Sequence, residues 1–517
     1  MSNKRWKTGL LLSAASTAVL LSGCSGNKTD AGGTEAQQGA KPMTLKMIRY
    51  EHPSQALKQN TPVLKEIAKQ TGVTLQVEGV PQSNYKDKKQ VLIGTNNIPD
   101  VILVDQNDIF QYAKTGIFLN ISDYLDQAPN LKKRLQDNPE TNKLLIDGKL
   151  YGFPITAQNQ LSAGKAPMIR TDLLKKHNLK TPATYDELYA TLKQLKAAYP
   201  DSTPWTARGM GSILDAVAYG MGSGYGMYFD PDVKGGSYVY GTNKPEFKEV
   251  LAYLNKLYAE KLLDPDFAVN TQQKWAEKLS TGKAFFYFDN NTFAVNYNQA
   301  MQKDNPEAKL DLIPYLGNGK GSIRGFAYPK AGWISELYAV SSKVKDPAAI
   351  VKFYDWLYSE EGTLVANFGV RGETFDIANG KPKLLDAVID KYKTAADPAR
   401  AMLSELGAGY LTIAPHVDET PIIQVSDPDL VRWGEQIDKD PGSKIRAPSL
   451  KPPFTDEENE QIKQITSKLS PILADVLKFI MGAKPLGEFD AFVKALNDNG
   501  VPQLETIYNT AMSRVKR

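Results

Sequence analysis

Cysteine is almost missing from this sequence: 517 residues carry one, Cys24. No disulfide can form within the chain, and dithiol redox chemistry is excluded. Histidine is nearly as scarce. His52, His177 and His416 are scattered, without the H-E-x-x-H spacing of a zinc site. No G-x-S-x-G nucleophile elbow occurs. The Gly-rich stretch Tyr219–Tyr228 (YGMGSGYGMY) lacks phosphate-loop spacing and has no Lys-Ser/Thr pair, which argues against nucleotide. Net charge is small as well. Of 62 Lys and Arg, three (Lys4, Arg5 and Lys7) fall in an acid-free leader, which leaves 59 against 58 acidic residues. A near-neutral body offers no basic stripe for nucleic acid. Long blocks of like charge are absent too, and Lys86–Lys89 (KDKK) reads as a solvated face.

What is present begins with the leader. Lys4, Arg5 and Lys7 precede the apolar run Gly9–Leu21, which is short of the roughly 20 residues of a membrane span. Leu21-Ser22-Gly23-Cys24 closes it and resembles the lipobox of bacterial lipoproteins, in which the thiol is acylated and the chain is cut before it. An ordinary secreted protein with a stray thiol is the alternative. On the lipoprotein reading, residues 1–23 are a signal peptide and Cys24 is the lipidation site. Residues 24–42, rich in Gly, Ser, Thr, Gln, Asn and Ala, are a flexible tether.

Beyond the tether the length implies at least two domains. Thr44–Tyr50 predicts a strand, Pro62–Gln70 a helix stopped by Gly72, and Val73–Val80 a second strand with alternating apolar residues. A Lys-rich helix and the buried strand entered at Ile98–Val104 follow. Strand and helix in alternation predict an α/β domain with a mostly parallel sheet, whose ligands sit at the carboxyl ends of the strands. That rule places Arg49–His52 and Asp105–Asn107 at a candidate site. Thr184–Glu187 is a capping box, with Tyr185, Leu188, Leu192 and Leu195 on the core face of the helix it opens. Asp346-Pro347 opens another helix, with Ile350, Phe353, Tyr354 and Leu357 on its apolar face, Trp356 packed and Gly362 closing it. From about Thr455 the chain is again helical. The 25 Tyr and 18 Phe suit both a core and a surface that stacks on sugar rings.

Five stretches together resemble the extracellular solute-binding proteins of ABC importers, family 1, in the lipoprotein branch that handles oligosaccharides. They are Ile98–Ile102 (IPDVI), Asp147–Pro154 (DGKLYGFP), Ile169–Leu174 with Pro182–Leu188, Thr281–Phe285 (TGKAF) and Phe368–Phe375 (FGVRGETF). The ending from Phe479 to Tyr508 fits as well, so the likeness spans nearly the whole mature chain. The resemblance implies a two-lobed periplasmic-binding-protein-like α/β fold with discontinuous lobes joined by a hinge, which closes on ligand. On that pattern residues 43–156 are the first part of lobe 1 and 157–320 the first part of lobe 2. Residues 321–400 return to lobe 1, and 401–517 complete lobe 2 with C-terminal helices. Asp147–Thr156 resembles the first crossover and Tyr338–Ser342 the second. Relatives often carry a calcium loop after the helix at Thr184. Here that loop is Tyr199–Trp205 with one carboxylate, and no calcium or other metal is expected.

The resemblance implies capture of a carbohydrate, an oligosaccharide or another small solute, and its delivery to ABC permease subunits. It implies no cofactor, no catalytic residues, a monomer, and a lipid anchor on the extracellular face of the bacterial cytoplasmic membrane. A surface-anchored glycan-processing enzyme, or a ligand sensor, is the reading from another class. Candidate ligand-binding residues follow from loops and strand ends. Trp205, in a loop after a helix, is a stacking platform or plain packing. Asp289 and Asn290 end an apolar strand and could fork onto adjacent hydroxyls, or form a local turn. Trp333, flanked by Arg324 and Glu336, is placed in the cleft. Gln158 and Asn159 follow the first crossover and are expected to line the groove. Arg49 and His52 end the first strand. Arg49, Arg208 and Arg324 leave acidic saccharides open.

Overall fold

The computed structural model describes residues 42–515, apart from 54, 162, 234–235, 322, 329–331, 396, 440–443 and 447–448. The leader, Cys24 and the tether up to residue 41 lie outside the described residues. Among those described, no helix is long and apolar enough to cross a membrane.

The first lobe starts where the apolar alternation starts. Strand β1 (Met43–Glu51) is followed by a helix at Pro62–Thr71, β2 (Val73–Pro81), a helix at Gln82–Gly94 and β3 (Val101–Asp105). Local chemistry sets these boundaries. The Thr61 side chain accepts from the Leu64 amide, Pro62 fills the first turn, and Gly72 ends the helix at φ 71°. Val101–Val104 are fully buried, as befits a strand with both faces covered. β4 (Phe153–Gln158), β11 (Gly332–Val340) and β14 (His416–Asp418) complete a six-stranded sheet in the order β14-β4-β11-β3-β1-β2. Only β11 runs against the rest.

In the second lobe, β5 (Ala163–Arg170), β8 (Phe286–Asn290), β10 (Arg324–Tyr328) and β15 (Lys444–Arg446) form a sheet in the order β15-β10-β5-β8, with β9 (Leu310–Leu312) also on β5. Two hairpins stand apart, β6 (Met227–Asp230) with β7 (Ser237–Tyr240), and β12 (Phe375–Ala378) with β13 (Lys381–Leu384). A core that includes Leu188, Phe247, Phe286 and Phe479 joins this sheet to the C-terminal helices. A smaller core holds Trp275, Tyr287 and Trp433.

β4 runs straight into β5, and β10 leads into β11. After β14 the helices Thr420–Val425 and Pro428–Lys439 carry the chain back, with Trp433 buried in the second lobe. The expected boundaries move accordingly. Residues 324–328, placed in lobe 1, belong to the second sheet. Met402–Val417, placed in lobe 2, pack into the first lobe, because Met402, Leu403 and Leu406 join its core and β14 adds an edge strand beside β4. The first lobe also takes a residue from far downstream: Leu450 is buried in its core. Around it, Gln106 and Lys451 exchange two hydrogen bonds of 2.8 and 3.1 Å. Glu140 accepts from the Leu450 amide at 2.6 Å, and Tyr238 of β7 donates to the Leu450 carbonyl at 3.0 Å.

Two local expectations also change. Gly362 does not close the helix opened by Pro347. That helix ends at Tyr358, and Gly362 sits in the next, Glu360–Phe368, where a Cβ would come within 2.0 Å of the Trp356 carbonyl. At Thr184 the hydroxyl accepts from the Glu187 amide as expected, but the Glu187 carboxylate accepts from Ala183 N, one residue before the cap.

Candidate functional site at the strand ends of the first lobe

β4 leaves the first sheet at its carboxyl end for the second lobe, and β1 and β3 run parallel to it. Their carboxyl ends therefore face the second lobe, at the switch point where ligands of open α/β sheets bind. A crevice of about 410 Å3 lies there, floored by Tyr50, Tyr85, Lys89, Asp105, Asp108 and Glu336. Gln82, Gln90, Asn107 and Gln111 line its sides.

Each floor residue is fixed by local structure. Asp105 ends β3 and caps the helix Gln106–Tyr112, accepting from the Asn107 and Asp108 amides, while the Asp108 carboxylate accepts from the Asp105 amide. Lys89 reaches both acids, with Nζ 2.9 Å from Asp105 and a closer contact to Asp108. Burial works to raise both carboxyls. At Asp105, Lys89 and the two amides outweigh it and hold the group below its ordinary range; at Asp108, burial wins and the group titrates high. Glu336 is likewise pushed up by burial, against the pull of Arg49 and Lys89. Tyr85 donates to the Leu103 carbonyl at 2.6 Å and meets the Tyr50 ring edge-on at 5.9 Å. The Tyr50 and Tyr410 hydroxyls are 3.2 Å apart. The result is a polar floor with carboxylate acceptors, an ammonium and phenols, flanked by amides that both donate and accept.

On the second lobe, register sets which residues lie near the crossover. Lys165 of β5 stands opposite Asn290 and Phe326, so the end of β8 and the middle of β10 lie level with the crossover. The charges there are paired. Arg208 holds Asp289 through two bonds of 2.8 and 3.0 Å and lies 5.1 Å from the Phe293 ring centre. Lys165 meets Asp215 at 2.7 Å. Arg324 meets Asp232 at 2.8 Å and Asp230 at 3.8 Å.

The structure redistributes the residues singled out from sequence. Trp205 is 0% exposed, edge-on to Phe286 at 4.7 Å, with its backbone bridged to Leu263 and Phe286. It is core in this structure, with no ring face open to a ligand; Pro200 and Pro204 lead into a short strand-like segment bridged to Leu263 and Phe286, not an open loop. Arg49 is also 0% exposed and serves as a structural tie, so it cannot touch ligand in this conformation. Asp289 is buried and both its oxygens are taken by Arg208, which rules out the expected fork. Asn290 accepts from the Thr292 amide at 3.0 Å, in a turn. His52 lies just past β1, its carbonyl accepting from the Gln55 amide, and burial with Arg400 nearby holds its imidazole below the usual range. Trp333 belongs to β11, opposite Thr156; its side chain is outside the described part.

Gln158 and Asn159 line a different groove, at the far edge of the sheet. Both donate to Asp418, at 2.9 and 3.2 Å. Gln158 Oε1 is 3.0 Å from His416 Nε2, and Thr156 Oγ1 is 2.7 Å from His416 Nδ1, which ties β4 to β14. Burial, with Arg134 nearby, lowers the imidazole to about 3, so it is neutral there. In the loop Tyr199–Trp205, the Lys196 ammonium takes the carbonyls of Pro200 at 2.7 Å and Ser202 at 2.5 Å. Among the described residues, no group of three or more His, Cys, Asp or Glu could hold a metal ion.

Lys89, expected in a solvated face with the rest of KDKK, lies in the crevice instead. It is 6% exposed. The signal was there: Tyr85, Lys89 and Ile93 recur at helical spacing and share one buried face.

Among known proteins, the family of bacterial extracellular solute-binding proteins matches residues 57–364. Lipoprotein LipO of Bacillus subtilis (strain 168) is 27% identical over 381 residues, covering 70% of this chain and 72% of its own. The polygalacturonan/rhamnogalacturonan-binding protein YtcQ of the same organism is 26% identical over 535 aligned positions, covering 100% of both chains. The crystal structure of alginate-binding protein AlgQ2 without calcium ion has the same two-lobed fold, with a TM-score of 0.70 at 24% identity over 93% of this chain and 100% of that one. With a family match across more than half its length, this chain belongs to the bacterial extracellular solute-binding proteins.

Proposed function

We propose that this protein captures an oligosaccharide in the crevice and delivers it, unaltered, to the permease subunits of an ABC importer. The observation that carries this reading is the crevice itself: amides, carboxylates and phenols converge at the carboxyl ends of β1 and β3, facing a second lobe joined by the crossovers. Such a set suits a ligand made of hydroxyls. A relative that spans the whole chain bears the name of a polygalacturonan/rhamnogalacturonan-binding protein, which supports the same class. Ligand contacts from both lobes favour the closed state, so binding shifts the population towards closure.

Thermal unfolding of the mature protein against neutral and acidic oligosaccharides tests this reading. One glycan class is expected to stabilise saturably, by about 2.7 kcal/mol at a hundredfold excess over Kd, and to be recovered intact. Asn107→Ala, at the exposed rim, should weaken binding by about tenfold, the worth of one hydrogen bond, without moving the melting temperature. No stabilisation by any saccharide would sink the carbohydrate reading, and a cleaved product would make the protein an enzyme.

The same proposal places the protein, a monomer, on the extracellular face of the cytoplasmic membrane through lipid on Cys24. Cys24→Ala should shift it from the membrane fraction to the medium, or leave the leader uncleaved. Acylation that persists in the variant would refute the anchor.

A further inference from the structure

A larger cavity, of about 1030 Å3, lies at the opposite edge of the first sheet, where β4 and β14 end. Helices Pro129–Asp137 and Glu360–Phe368 wall it on the first lobe, and helix Pro428–Lys439, anchored by Trp433, walls it from the second. Two side chains lining it have unused hydrogen-bonding capacity. Thr363 is 3% exposed, and its hydroxyl makes no hydrogen bond. Arg134 donates from Nε to the Tyr358 carbonyl at 3.3 Å, and among the described residues no carboxylate comes within ion-pair distance of its guanidinium. Burial holds that guanidinium below its ordinary range, against the pull of Asp137, Asp418 and Glu360. Of the acids that line it, Asp418 accepts from Gln158, Asn159 and the Thr420 amide and Glu435 pairs with Lys439, while Glu360 pulls on Arg134 from beyond ion-pair distance.

A half-buried cation without a direct ion pair carries a cost, and a buried hydroxyl without a partner adds to it. One kind of occupant relieves both. A guanidinium fork matches a carboxylate with two parallel bonds, and a hydroxyl can serve another oxygen of the same molecule. The volume suits a molecule of sugar size or somewhat larger. We propose that this groove behind the crossover is a second ligand site, which takes a small hydroxylated carboxylate on Arg134 and Thr363.

The test compares D-galacturonate with D-galactose, which differ only in the C6 carboxylate, by isothermal titration of the mature protein at neutral pH. Galacturonate is expected to saturate one site, with galactose at least tenfold weaker. Arg134→Gln should cost at least tenfold in galacturonate affinity. Thr363→Val should cost several-fold while leaving the melting temperature unchanged or higher. Asn107→Ala, in the front crevice, should leave galacturonate binding unchanged, and Arg134→Gln should leave oligosaccharide binding unchanged. Were Arg134→Gln unable to fold, Thr363→Val decides alone. Absence of saturable galacturonate binding, equal affinity for galactose, or loss on Asn107→Ala without loss on Arg134→Gln or Thr363→Val would overturn the proposal.

Discussion

Arg49→Ala is expected to lower the free energy of unfolding by about 3–5 kcal/mol, since each buried acceptor left without its donor costs about 1–3 kcal/mol. Arg49 is fully buried. Its Nε donates to the Tyr50 carbonyl at 3.2 Å, and Nη1 donates to Tyr338 Oη at 3.1 Å, to the Thr412 carbonyl at 3.2 Å and to the Tyr410 carbonyl. One side chain thus ties β1 to β11 and to the segment before β14. Alanine would strand these acceptors where water cannot reach them. It would also remove the cation that opposes the burial of Glu336, pushing that carboxyl higher still. Lysine should not rescue, because a single ammonium cannot span acceptors on three segments. Urea unfolding of the two variants is the measurement, and a loss under about 1 kcal/mol for alanine would show that the network does not hold the lobe together.

The second large effect is Trp205→Ala, at about 3–5 kcal/mol for a fully buried tryptophan. A stacking anchor and a core residue make opposite forecasts. An anchor would lose affinity and keep its melting temperature. The burial of Trp205 against Phe286 and Tyr253 forecasts the reverse: a large drop in melting temperature, and unchanged affinity per folded molecule. A variant that melts normally but binds weakly would overturn this assignment.

Much of the first lobe was legible because its signals are local. Thr61, Pro62 and Gly72 bracket a helix through chemistry that needs no tertiary context, and the uninterrupted apolar run Val101–Val104 can only be a covered strand. Lobe membership was not legible. Helix Pro398–Leu406 shows an apolar face, but a face does not say which core it meets, and β10 looks the same in either sheet. Residue type misled in the same way. A loop tryptophan and an arginine at a strand end both suit a ligand by type and place, whereas burial decides whether Trp205 and Arg49 are available. The candidate crevice was half legible: the strand-end rule pointed to Asp105, but Lys89 and Glu336 reach it from other elements, and only the fold brings them there.

Leu450 has a consequence for biosynthesis. The first lobe begins at β1, yet its core is not complete until a residue near the end of the chain is available. During synthesis the early strands must therefore wait, unclosed, while most of the second lobe is made. Domains that are continuous in sequence fold one after another as they emerge; this one has no such order available. For a chain of an extracellular family, which leaves the cell that makes it, that delay is an advantage, since the first lobe stays unfinished until most of the chain exists.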